Sequence, residues 1–195
     1  SSTDLEIDIS TLSDSVSLDE DSSIEISPLT NDSYLRGQAV QLSIASSPLN
    51  GATSLTDNVI TYTPNADWNG AESFTYSIVQ GSKSATGTIE VTVAPINDQP
   101  IINTPALINT NESVSVVVTI DVNDVDGDSL TYTLSGTDAD LFSIDSGAVL
   151  SFIATPDFES PSDNGSDNVY NITVSVGDGS DSVELAMIIT VINTS

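Results

Sequence analysis

The sequence predicts an all-β protein built as two tandem Greek-key sandwiches, residues 1–97 and 98–195, joined by a short linker. Three observations predict it. Apolar and polar residues alternate at period two in run after run, with turn-forming clusters every ~8 to 12 residues and no sustained helical period. The second half repeats the first: Val91-Thr92-Val93-Ala94-Pro95-Ile96-Asn97 closes one, Ile189-Thr190-Val191-Ile192-Asn193 the other. Finally, Pro95 and Pro100 bracket the segment Ile96-Asn97-Asp98-Gln99 near the midpoint. Each proline removes a backbone donor and biases its predecessor towards extended backbone, so the segment reads as a stiff connector.

Taken in order, the first half opens on the alternation of Leu5, Ile7 and Ile9, a candidate first strand or lead-in. Strands are then predicted over 15–18, 23–28, 39–45, 52–55, 59–63, 73–80 and 85–93, with Gly81-Ser82 turning the last hairpin. The second half gives 101–108, 113–122, 129–135, 142–144, 148–153, 169–176 and 182–192, one helical turn over 138–141, and a polar loop over 160–168. About seven strands per half, in two consecutive blocks, point to tandem immunoglobulin-like sandwiches.

Composition narrows the chemistry. The 195 residues carry 29 acidic side chains against two basic ones, Arg36 and Lys83, a formal net charge of −27 with no histidine. Nucleic acid and anionic membrane surfaces are excluded as partners, since both need lysine and arginine. Self-repulsion on this scale calls for counter-charge, and hard divalent cations bound through oxygen supply it. With no cysteine there are no disulfides and no thiolate metal sites. No apolar run approaches the ~20 residues of a membrane span, and Ser1 opens no signal peptide, so the chain reads as an interior excerpt of a longer one.

An odd strand number places a sandwich's termini at opposite ends and alternates its loops between them. In the first half the loops carrying Glu20 with its neighbours Asp19 and Asp21, and Asp67 with Asn69, are expected at the end where the chain leaves. In the second half those carrying Asp124, Asp126 and Asp128, and Asp178, are expected at the end where it enters. With Asn97 and Asp98 of the linker, the candidate ligands are Glu20, Asp67, Asn69, Asn97, Asp98, Asp124, Asp126 and Asp178. Ca2+ suits them: it takes about six to eight oxygens and tolerates irregular geometry, whereas Mg2+ demands an octahedron. Asp124-Val125-Asp126-Gly127-Asp128 lacks the glutamate of an EF-hand's twelfth position. A second, incomplete set, Glu112, Asp157, Glu159 and Asn193, repeats the pattern at the far end of the second half.

These residues carry a family likeness. Asn111-Glu112-Ser113, Asp124-Val125-Asp126, Asp157-Phe158-Glu159 and Val176-Gly177-Asp178-Gly179 resemble the calcium-binding positions of a cadherin repeat. Leu29-Thr30-Asn31-Asp32, the stretch Thr61-Tyr62-Thr63-Pro64-Asn65-Ala66-Asp67-Trp68-Asn69-Gly70 and Ser73-Phe74-Thr75-Tyr76 resemble the cadherin-like tandem repeat of large bacterial surface adhesins. Two departures matter. Pro95 and Gln99 replace the outer acidic and amide positions of the cadherin linker, and Asn69 stands where a glutamate is expected, with Glu72 as the substitute. The resemblance implies interdomain Ca2+, fewer ions per joint than in cadherins, and an extracellular or cell-surface location in a bacterium.

Three functions compete at this stage. The first is a calcium-rigidified extender whose partners are the neighbouring repeats of its own chain. The second is an adhesion module for a cell-surface glycan or a second copy, with Trp68, Tyr34, Tyr62 and Tyr76 as candidate contacts, although Tyr62 and Tyr76 fall on strand periodicity and Trp68 suits a cap over the sandwich end. The third, an enzyme, is disfavoured. Asp157 and Glu159 lie on one side of an extended segment and cannot flank a glycosidic bond, and no nucleophile constellation exists.

Overall fold

The strands form where the alternation is strongest. In the computed structural model, which describes residues 8–194, the chain divides between Ile96 and Asn97 into two units. Of the first alternating run, Leu5 and Ile7 lie outside the described residues, while Ile9 packs half-buried against the first core.

The first unit runs β1 (Asp14–Asp19), β2 (Ile24–Ile26), β3 (Gln41–Ser46), β4 (Gly51–Thr56), β5 (Val59–Pro64), β6 (Gly70–Gln80) and β7 (Lys83–Ala94). One sheet has the order β1-β7-β6-β3, the other β2-β5-β4. Every second residue is buried from Phe74 to Ile78 in β6 and from Gly87 to Val93 in β7, as one-sided sheets require. Ile60, Tyr62, Tyr76, Ile78 and Ile89 are fully enclosed in the first core, each isoleucine contributing about 1.5 to 3 kcal/mol over leaving it exposed. Tyr76 lies across from Gly87, whose missing side chain makes room for the ring.

The second unit comprises β8 (Ile101–Ile102), β9 (Leu107–Asn111), β10 (Val116–Thr119), β11 (Val122–Asn123), β12 (Thr131–Ser135), β13 (Phe142–Ile144), β14 (Val149–Phe152), β15 (Val169–Gly177) and β16 (Ser182–Ile192). Its sheets β12-β15-β16-β9 and β10-β14-β13 repeat the strand orders of the first unit, and the small pair β11-β8 is added. Phe142, Phe152 and Tyr170 meet at the centre, Tyr170 edge-on to both rings at 5.7 and 5.1 Å.

Two expected strands are broken. The run 101–108 splits: β8 pairs with β11, whereas β9 joins β16 in parallel. Between them Pro105 has no N–H for a ladder, and the Thr104 hydroxyl accepts the Asp121 amide at 2.6 Å, so the chain steps from one pairing to the other. The run 113–122 splits in the same way, with a register shift between Val116 and Val118.

The loop over 160–168 is polar by sequence but is organised around buried carboxylates. Asp138, 3% exposed, accepts the amides of Asn164 at 2.8 Å and Asn171 at 2.7 Å, just ahead of the expected helical turn, a 3-10 turn over Ala139–Leu141. Asp163 accepts those of Asp167 and Asn168 at 3.1 and 2.9 Å. Burial alone would raise the Asp163 pKa, but these amides outweigh it and hold the carboxyl below its ordinary range.

In both units the first and last long strands lie side by side in parallel. Asp19 ends beside Ala94 and Asn111 beside Ile192, so each unit's first loop returns to the end where its last strand leaves.

Candidate metal centres

At the trailing end of the first unit, Glu20 continues past β1, its amide donating to Ala94 O at 2.9 Å, and Asp21 turns the chain at φ 59°. The Glu20 side chain folds inward to 4% exposure. Its Oε1 accepts the Ile96 amide at 2.7 Å and its Oε2 the Asn69 Nδ2 at 3.4 Å. The Asp67 amide donates to Asp21 Oδ1 at 3.3 Å. Glu20, Asp67 and Asn69 are thus gathered in one place, together with Asp21, which the sequence marked only as a neighbour.

The second unit repeats this device at its own trailing end. The Glu112 amide donates to Ile192 O at 3.1 Å, Ser113 turns at φ 64°, and the Glu112 carboxylate accepts the amides of Thr194 at 2.8 Å and Phe158 at 3.3 Å. Glu112, Asp157 and Glu159 bring carboxylate oxygens within 4.8 Å of one another, and Asn193 Nδ2 donates to Glu159 Oε1 at 2.7 Å. In both units a glutamate followed by a residue of positive φ accepts the amide of the second residue past the last long strand. That backbone turn leaves little trace in composition.

At the leading end of the second unit, Gly127 at φ 75° curls the 124–128 loop so that Asp124, Asp126 and Asp128 place oxygens within 4.8 Å of one another. The Asp98 amide donates to Asp126 Oδ2 at 2.7 Å. Asp178 Oδ1 accepts the amides of Ser180 at 2.6 Å and Asp181 at 2.7 Å, while Asn97 Nδ2 bridges Asp178 and Asp181 at 3.1 Å each. Asp181 was not singled out from sequence. Asp124 Oδ2 is sealed from solvent without a hydrogen-bond partner, and a hard cation is a partner that would satisfy it.

Glu72 is not a substitute ligand. Its Oε1 accepts the Tyr62 hydroxyl at 2.6 Å, and its Oε2 the amides of Leu49 and Asn50 at 2.8 and 2.9 Å. Burial first, and this carboxylate second, push the Tyr62 hydroxyl pKa up. Trp68 is half-buried against the first core with Gly70 beneath its ring, which fits a cap over the sandwich end.

The amides around Glu112, that of Thr194 foremost, hold its carboxyl below the ordinary value, and those of Asp181 and Ser180 do the same for Asp178. A depressed folded-state pKa contributes stability that is present above the unfolded value, 4.5 for the glutamate, and is lost as pH falls through the folded one. In chelator, wild type is therefore expected to exceed Glu112→Gln in thermal midpoint at pH 7, with the gap closing below about pH 4. Circular-dichroism melts of the two proteins across pH 7 to 3 check this; a gap that stays constant refutes it.

Two sandwiches in series, each with parallel first and last long strands, define a tandem immunoglobulin-like protein. The chain belongs to the bacterial Ig domain family, whose profile matches twice, at residues 8–92 and 97–190. Solved structures share the fold. Protocadherin gamma B7 cadherin domains 1–4 are 16% identical at TM-score 0.56, with 97% of this chain and 52% of that one covered. Protocadherin gamma C5 domains 1–3 are also 16% identical at 0.56, with 95% and 68% covered. The human desmocollin-1 ectodomain is 15% identical at 0.50, with 94% and 40% covered. The chain thus spans about half the length of the protocadherin gamma B7 structure. No curated protein matches it in sequence. No described helix is long and apolar enough to cross a membrane.

Proposed function

We propose that this chain is a calcium-stiffened extender segment of a bacterial surface adhesin, holding its neighbours apart rather than binding a distant ligand itself. The observation that carries the reading is the repeated placement of oxygen donors at strand ends next to the linker, with Asp124 Oδ2 buried and lacking a partner. In this reading Glu20, Asp67 and Asn69 of the first unit share Ca2+ with Asn97, Asp98, Asp124, Asp126 and Asp178 of the second. Glu112, Asp157, Glu159 and Asn193 form the donor half of a further site that a following repeat completes. The three asparagines now turn Nδ2 towards carboxylates, and as ligands they would present Oδ1 by rotating the terminal amide.

The bound ion would supply positive charge among carboxylates that otherwise repel, and the joint would stiffen as a result. A net charge of −27 favours a surface that neither aggregates nor adheres nonspecifically. Trp68, packed on the core, gives no support to a glycan platform, and the absence of histidine and cysteine from the sequence speaks against catalysis.

Small-angle scattering of the chain in calcium and then in chelator tests the proposal. Chelation is expected to broaden the distance distribution, and Asp98→Ala combined with Asp126→Ala to reproduce that broadening in calcium. Identical curves in the two conditions would sink the reading.

A further inference from the structure

Inside the first unit, three oxygen-bearing side chains, Asp14, Asp32 and Tyr76, lie close together with too few hydrogens between them. Asp32, 5% exposed, accepts the Leu12 amide on Oδ1 at 3.0 Å, and the fully buried Tyr76 hydroxyl stands 2.9 Å from both of its carboxylate oxygens. That hydroxyl carries a single hydrogen. Asp14 accepts Asn31 Nδ2 on Oδ1 at 3.0 Å, but its Oδ2 is sealed from solvent with no partner. The chain's two cations are engaged at other groups: Lys83 stands 3.6 Å from Asp8, and Arg36 lies over the Tyr34 ring at 4.8 Å.

A buried acceptor without a donor is destabilising, and a buried unpaired charge more so. On the paired strand, β7 sets apolar Ile89 across from Asp14, and its Glu90, across from Ser15, is exposed.

We infer that the missing hydrogen is a titratable proton held by Asp14 and directed at the Asp32–Tyr76 pair, making the first unit a proton-binding sandwich fastened more tightly in acid than at neutral pH. The electrostatics agree. Burial first, and the Asp32 charge second, raise the Asp14 pKa above its ordinary 3.8, against weaker opposing pulls from Asn31 and Tyr76. The Tyr76 hydroxyl is itself pushed up, by burial and then by Asp32, so it keeps its hydrogen throughout.

What the proton fastens is the segment leading into β1. Leu12 is tied to Asp32, Ser10 and Ser33 exchange amide hydrogen bonds at 3.0 and 2.9 Å, and the Thr11 hydroxyl donates to Thr86 O at 2.7 Å. A raised folded-state pKa contributes stability that is full below the unfolded value and is lost as pH rises through the folded one. Ionisation of Asp14 on the way to neutral pH would therefore set two carboxylates with too few donors between them against each other beneath this lead-in.

The test uses the full chain in chelator, so that metal plays no part. Carbon-13 carboxyl NMR is expected to show Asp14 titrating above 3.8, its ordinary value. Asp14→Asn, whose amide supplies a permanent donor, is expected to raise the melting point of the first unit at pH 7 by about 5 °C and to flatten its dependence between pH 4 and 7. Titration of Asp14 at or below its ordinary value overturns the inference. So does an Asp14→Asn protein that melts no higher than wild type at pH 7. Should that variant fail to fold, the wild-type titration decides alone.

Discussion

In calcium at about a hundred times its dissociation constant, the chain is expected to melt roughly 10 to 20 °C higher than in chelator, whereas sodium at equal ionic strength recovers only a small part of that shift. Mass action alone gives about 2.7 kcal/mol at such saturation, and about 1 kcal/mol moves a domain of this size by ~4 to 8 °C. The specificity follows from geometry. Unit charges ~4 Å apart repel by about 1 kcal/mol in bulk water and by about 4 at an effective dielectric of 20. The oxygens of Asp124, Asp126 and Asp128, like those of Glu112, Asp157 and Glu159, lie within 4.8 Å, well inside the ~8 to 10 Å over which ordinary salt screens. A monovalent atmosphere therefore leaves most of the repulsion in place, while a coordinated divalent ion replaces it with attraction. Differential scanning calorimetry in matched calcium and sodium buffers reads the difference; equal shifts would mean that general screening is all these carboxylates require.

Gly87→Ala is expected to cost the first unit about 2 kcal/mol and roughly 10 °C, although the substitution adds one methyl group to a strand. A β-carbon there would fall 2.4 to 2.5 Å from the Tyr76 ring and hydroxyl. The ring has nowhere to retreat, because it is fully buried and its hydroxyl is held by Asp32 at 2.9 Å. The neighbouring exposed Thr86 serves as the control, since Thr86→Ala should stay within about 0.5 kcal/mol of wild type. Calorimetry of both variants, with the transition of the second unit as internal reference, checks the result; an unshifted Gly87→Ala melt would show that the ring can move.

The long hairpins were legible because one-sided burial writes a period of two into the sequence: β6 with β7 and β15 with β16 fall within a few residues of their expected bounds. The stepped strand 101–108 was not, since Ile101, Ile102, Leu107 and Ile108 read the same whether their partners are shared or different. The loops that carry Glu20, Asp67, Asp124, Asp126 and Asp178 could be placed by strand parity alone. What parity does not reveal is which carboxylates face inward. Asp32, Asp138 and Asp163 sit in Asn-Asp, Thr-Asp and Asp-Asn-Gly contexts that look like solvent turns, yet each is at least nine-tenths buried and organises backbone amides. Glu72 misled for the complementary reason: its nearness in sequence to Asn69 suggested a ligand, but β6 turns it towards Tyr62. Two glycines that leave room for a ring, Gly87 across from Tyr76 and Gly51 diagonally beside Tyr62, are visible only once the strands are aligned.

The side-by-side parallel course of β1 and β7 has a mechanical consequence. Six paired positions, from Asp14 with Ile89 to Asp19 with Ala94, join the strand nearest one terminus of the unit to the strand nearest the other. Tension applied through the backbone at both termini pulls these strands lengthwise past each other, so the rungs between them share the load and must yield together instead of unzipping in turn.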